Sequence, residues 1–170
     1  MVYEQIWYAI TLLGSPRGWI AGAAVLLIIY LIIKGELRPS HKQAFRRFLL
    51  ILIPTLTVTL ALTQGLKITV PAERVCIPCL EGQTQGCNPY CLEDNSFPSG
   101  HTATAFAVFT SLFLANPKRK HALVFIIPLL VALSRLALGV HTLTDVFIGV
   151  VLAVFISLGV AKALQNKKLI

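Results

Sequence analysis

Charge is scarce along this chain. Asp, Glu, Lys and Arg make up 13% of its 170 residues, with only 7 acidic side chains, while 56% are hydrophobic. Soluble domains carry about 25% charged residues, so this chain has too few to clothe a water-facing surface. A mean hydropathy of +0.77 places it among membrane proteins. No positive segment precedes the first apolar residues and no small-residue cleavage site follows them, which argues against a secretory signal. Internal repeats and low-complexity tracts are missing too, which excludes solenoids and biased linkers. No basic stripe is interleaved with aromatics, so the formal charge of +8 reads as membrane topology and not as a nucleic-acid footprint.

What is present is a series of long apolar runs. Five of them, over 17–33, 48–66, 98–115, 122–138 and 142–164, approach the roughly 20 residues that a helix needs to cross a hydrocarbon core of about 30 Å. They predict an all-α polytopic membrane helical bundle of about five transmembrane helices, a single domain over 1–170. Ahead of them, YEQIWYAITLLGSPRGW is shorter, carries Trp7 and Tyr8 near its start and breaks at Gly14-Ser15-Pro16. It reads as an interfacial helix. Pro54 and Pro128 fall inside two of the runs and predict kinks.

Cations fix the orientation. Lys34, Arg38, Lys42, Arg46, Arg47, Lys118, Arg119, Lys120, Lys162, Lys167 and Lys168, eleven of the 15 Lys and Arg, fall on one side of the five spans. The positive-inside rule makes that side cytoplasmic. His41 and His121 lie among them and read as solvated or interfacial. Only Arg17, Lys67, Arg74 and Arg135 remain for the outer side, so they need another explanation. The outer loop, about 67–97, also holds Cys76, Cys79, Cys87 and Cys91. Two disulfides would suit an oxidising compartment; four thiolates could instead hold a structural zinc. Either arrangement staples the loop.

Three segments carry polar groups to that outer face. KITVPAER puts Lys67 at a span end, where a lysine commonly snorkels, with Arg74 seven positions later. SFPSGHTATAF turns a polar loop into a span: Ser96 or Ser99 can cap the helix and Pro98 suits its first turn. Gly100 would let an anion approach free backbone N–H groups at the positive end of the helix. A cap does not account for His101. In SRLALGVHTLTD, Ser134 and Arg135 close a span and Gly139 suits a left-handed helix end. His141 and Asp145 are spaced to share a helix face, and Thr142 with Asp145 fits a capping box. Charges within a span cost roughly 2.5 to 3.5 kcal/mol each at its centre, less near its ends, so their joint presence points to a site.

Two histidines and an aspartate could bind zinc or iron. Three neighbouring permanent cations would repel a divalent ion, yet they would attract a phosphate dianion. Arg74 and Arg135 can each grip phosphoryl oxygens in a bidentate manner, and Lys67 adds a compact charge. An imidazole oriented by a carboxylate is a competent nucleophile, a role that fits His141 backed by Asp145. His101 fits the general acid for the leaving group and then the base for water.

Lys67 with Arg74 in K-x6-R, Pro98-Ser99-Gly100-His101 in PSGH, and Ser134, Arg135, His141 and Asp145 in SR-x5-H-x3-D resemble a known signature. It is that of the type 2 phosphatidic acid phosphatase superfamily, which includes membrane lipid phosphatases, glucose-6-phosphatase and the vanadium haloperoxidases. Val75 stands where that signature usually has proline. The resemblance implies that His141 is the nucleophile, Asp145 its orienting partner and His101 the proton donor. Lys67, Arg74, Ser99, Gly100 and Arg135 would bind phosphate, with no metal or other cofactor. The expected activity is removal of a terminal phosphate from a lipid at the extracytoplasmic face of the cell membrane, with a polyprenyl diphosphate or phosphatidylglycerophosphate as substrate. A lipid phosphotransferase using the same site, or a non-catalytic anion-binding or transport protein, are the alternatives; a pure binder has no need of the His141–Asp145 pair or of a second histidine.

Overall fold

The computed structural model of the chain describes residues 2–15, 19, 22, 28, 38–79 and 85–170. The first anticipated span, 17–33, falls almost entirely outside them. Five helices are described: α1 (Val2–Leu12), α2 (Pro39–Thr69), α3 (Gly100–Ala115), α4 (Ile126–Ala137) and α5 (Leu143–Asn166), with a 3-10 segment, Arg119–Phe125, leading into α4. Among the described residues the only bridge pairing is an isolated one between Pro78 and Asn88. Helices α2 and α5 are long and apolar enough to cross a membrane, with mean hydropathies of 1.8 and 2.4 over their most apolar windows. Helix α3 and the stretch His121–Ala137 are shorter apolar helices.

Apolar runs mark the lipid-facing length of a helix and not its ends. The run at 48–66 is only part of α2, which starts with Pro39 in its first turn, where proline's missing N–H has no partner to lose. At 1.5 Å per residue α2 is about 46 Å long, more than a hydrocarbon core requires. Two proline expectations are corrected. Ser99 is extended and serves as N-cap residue, without a side-chain cap bond, so α3 begins at Gly100 and Pro98 lies outside its first turn. Because α4 begins at Ile126, Pro128 sits in a first turn and breaks no intrahelical hydrogen bond.

Helix α3 forms the centre of the bundle. Its residues Thr102 to Ser111 are all buried, enclosed by α2, α4 and α5. The helices around it turn small side chains inward and large ones outward. Helix α2 buries Thr55, Thr59 and Thr63, and α5 buries Gly149, Ala153, Ser157 and Ala161, each at four-residue spacing. Ile53, Leu62, Leu133, Phe147 and Phe155 are exposed. Inward small residues allow close backbone approach, the packing favoured where lipid surrounds the bundle. Gly149 is the tightest point: a Cβ there would lie 2.9 Å from the Ser99 carbonyl oxygen, so glycine lets α5 meet the start of α3.

The outer loop carries two nested disulfides, Cys76–Cys91 and Cys79–Cys87, and no free cysteine is described. The Cys76–Cys91 bridge spans a sequence separation of 15, a loop whose closure contributes about 3 kcal/mol by chain entropy. Replacing Cys76 and Cys91 by serine is therefore expected to lower the thermal midpoint by several degrees. An unchanged denaturation curve for the double variant would contradict that role.

Candidate active site

Four helix ends converge on one side of the bundle, and each delivers a polar side chain. Lys67 lies in the last turn of α2 and Arg135 in that of α4. Gly100 and His101 open α3, and His141 lies just before α5, after Gly139, whose φ of 65° is the left-handed conformation expected at that helix end. Lys67, Arg74, Gly100, His101, Arg135 and His141 line a single cavity of about 380 Å³, together with Asp94. A larger cavity of about 810 Å³ shares Leu92, His101 and Arg135 with it and is otherwise walled by Tyr8, Thr11, Leu12, Ser15, Pro89 and Tyr90. Tyr8 of α1 and Tyr90 of the outer loop stack with ring centroids 4.9 Å apart.

The histidine at 141 is held from both sides. Its Nδ1 lies 3.4 Å from both Asp145 Oδ2 and Ser96 Oγ, while its Nε2 lies 3.4 Å from Arg74 Nη1. A guanidinium can only donate, so that contact leaves the lone pair on Nε2 and the proton on Nδ1, facing the carboxylate. Burial, followed by the charges of Arg135 and Arg74, holds the imidazole well below its ordinary pKa, so it is neutral at pH 7. Asp145 is fixed in turn. Its Oδ2 accepts from Thr142 N at 2.8 Å and from the Ser96 hydroxyl, while its own N–H donates to Thr142 Oγ1 at 3.2 Å. The capping box therefore exists, and the same carboxylate serves both the cap and His141.

The cations are equally constrained. Lys67 Nζ pairs with Asp94 Oδ2 at 2.6 Å and also donates to the Asn95 carbonyl. Arg74 donates from Nε to the Asp94 carbonyl and from Nη1 to the Val140 carbonyl, each at 3.0 Å, and its Nη2 pairs with Asp94 Oδ1. Burial raises the Asp94 pKa, but the hydrogen bonds from Lys67 and Arg74 outweigh it and leave the carboxyl below its ordinary range. Arg135 is only 3% exposed. Its Nη1 donates to Thr11 Oγ1 of α1 at 2.8 Å, and its buried Nε has no partner among the described residues.

Ser99, expected to bind phosphate, is not among the residues lining this cavity. It is fully buried, its N–H donates to the Asp145 carbonyl at 3.0 Å, and its hydroxyl accepts from Thr102 at 3.0 Å. It ties α3 to α5 behind the cavity wall. Asp145 likewise stands behind His141. His41 is exposed, and His121 is half-buried with Nδ1 2.8 Å from the Asn116 carbonyl; neither lines the cavity. Asp94, Asn95, Thr11 and Gly149 carry no motif that would have singled them out, and Ser96 was legible only as a possible cap.

Residues 48–169 match the family model described as the PAP2 superfamily. Among solved structures, the PAP2-type phosphatidylglycerolphosphate phosphatase from Bacillus subtilis is similar with a TM-score of 0.65 and 25% identity, over 96% of this chain and 77% of that one. LpxE from Aquifex aeolicus is similar with a TM-score of 0.61 and 23% identity, over 95% of this chain and 86% of that one. No curated protein matches. The matched residues run from α2 to beyond the end of α5 and include every charged side chain around the cavity, and on that match the chain belongs to the PAP2 superfamily, the type 2 phosphatidic acid phosphatases.

Proposed function

We propose that the protein is an integral membrane lipid phosphatase that removes a terminal phosphate through a phosphohistidine on His141. The observation that carries this reading is the single cavity in which three cations, a helix start and two imidazoles face one another. Lys67, Arg74 and Arg135 hold the phosphoryl oxygens, and Gly100 presents the first turn of α3, whose N–H groups have no intrahelical partners. His141 Nε2 attacks phosphorus, the bond to the lipid oxygen breaks, and His101, entering as the imidazolium, gives that oxygen a proton and becomes neutral. Water then attacks the phosphohistidine while His101 takes its proton, the P–N bond breaks, and inorganic phosphate leaves. The cup's net positive charge disfavours a divalent metal, and the reaction is read as metal-independent.

The chain crosses the cell membrane about five times, with the cup at the extracytoplasmic end, opposite the basic ends of α2 and α5. The adjoining cavity offers Tyr8, Leu12, Tyr90 and Leu92 to the lipid portion of the substrate, which suits a polyprenyl diphosphate or phosphatidylglycerophosphate. Phosphate release by the purified protein from a panel of both lipids and phosphatidic acid, with and without chelator, tests the reading. Release from at least one lipid, undiminished by chelator, is expected. No release from any of them, or loss restored by zinc, would reject it.

Ser96 is a positioning residue in this scheme. Its hydroxyl bonds Asp145, and a hydrogen bond to a charged group contributes about 1.5–3 kcal/mol. Ser96→Ala is expected to lower kcat by about tenfold at nearly constant KM, because the loosened carboxylate acts on the attacking imidazole and not on substrate binding. A change confined to KM would contradict the assignment.

A further inference from the structure

The cavity wall holds an acidic side chain that phosphate transfer does not use. Asp94 faces the place where an anion is to bind, and its two carboxylate oxygens are divided between Lys67 Nζ and Arg74 Nη2. The other bonds of Arg74 go to backbone carbonyls and to the His141 ring, so Nη2 is the donor left for a ligand. Resting on the phosphatase reading above, we infer that Asp94 is a displaceable stand-in for phosphate. Its carboxylate bridges Lys67 and Arg74 in the empty site, and a substrate phosphoryl group turns it aside to be gripped by both.

Three features support displacement over permanent bracing. The Asp94 side chain is 46% exposed, whereas those of Lys67 and Arg74 are 11% and 5% exposed, so the carboxylate lies on the water side of the cations and can leave without crossing packed structure. Its backbone is pinned: its carbonyl accepts from Arg74 Nε, the Asn95 side chain donates to the Lys67 carbonyl at 2.6 Å, and Ser96 N donates to the Ala72 carbonyl at 2.8 Å. A side-chain rotation therefore suffices. The charge count points the same way. Asp94 and Asp145 offset two of the three cations, so a phosphate dianion bound beside an undisplaced Asp94 would leave the cup net negative.

The consequence is a phosphate affinity held below what three cations could give, which favours departure of the inorganic phosphate product. Asp94→Asn keeps the shape and an acceptor oxygen while removing the charge. Calorimetric titration with inorganic phosphate is expected to show at least about tenfold tighter binding by this variant, a change of about 1.4 kcal/mol. In turnover, KM and kcat should both fall, because product stays. Equal or weaker phosphate binding by Asp94→Asn, together with a lower thermal midpoint, would show that Asp94 braces the cations and would overturn the inference while leaving the phosphatase reading intact. Binding of phosphate to neither protein would overturn both. Independently of any variant, a structure of the wild-type protein with phosphate or orthovanadate seated should show Asp94 withdrawn from Lys67 and Arg74; both ion pairs persisting beside the anion would refute displacement.

Discussion

His141→Ala is expected to lower phosphate release from a lipid phosphate by about 1,000-fold or more, with the fold intact. In the proposed mechanism the covalent step depends on a lone pair at Nε2, and the opposite nitrogen is engaged by Asp145 and Ser96. Alanine removes the nucleophile while leaving three cations to bind substrate. Each factor of ten corresponds to about 1.4 kcal/mol in the barrier, so the loss amounts to about 4 kcal/mol or more, the scale of removing a residue that acts as one unit with its partners. KM should change little, since Lys67, Arg74 and Arg135 remain. Steady-state phosphate release over a substrate series checks both parts, and wild-type activity in His141→Ala would remove the nucleophile from the account.

Arg135→Ala carries the second large effect, and its sign differs between activity and stability. The guanidinium is nearly inaccessible, bonds Thr11 and leaves Nε without a partner among the described residues. A buried cation beside two other cations is unfavourable for the empty fold. In the proposed cup Arg135 meets a charge that arrives only with substrate. Loss of one preorganised donor to a developing anion lowers kcat by about 100- to 1,000-fold, whereas relief of repulsion with Arg74 should leave the thermal midpoint unchanged or raise it. Arg135→Lys should recover only part of the activity, because a compact ammonium cannot reproduce the planar fork. A fall in both activity and midpoint would make Arg135 a structural residue. Kinetics and thermal denaturation on the same preparations separate the two outcomes.

Much of the cup could be read from the chain because its members sit at helix ends, which hydropathy and spacing locate together. Lys67, Gly100, His101, Arg135 and His141 each lie near an end of an apolar run, and those helix ends converge on one side of the bundle. Asp94 and Ser96 were not legible in these roles. Both lie on a loop whose path is set by the two disulfides and by bonds such as Ser96 N to the Ala72 carbonyl, and no local pattern encodes that path. Thr11 was hidden for a related reason: its partner Arg135 is remote in sequence, and α1 reads only as an interfacial helix. The donor of Ser99 is not legible, because a helix start read from residue types does not show which neighbour takes its N–H; the Asp145 carbonyl does. Helix α2 exceeded its apolar run because Ser40, His41, Lys42, Gln43, Arg46 and Arg47 are polar yet helical.

Capture of the covalent intermediate tests the mechanism most directly. Purified protein mixed with a lipid phosphate labelled on its terminal phosphorus and quenched within a turnover should yield an acid-labile, base-stable phosphoenzyme. Peptide mapping should place the label on His141. A label mapped to any other side chain, with turnover proceeding normally, would contradict the account.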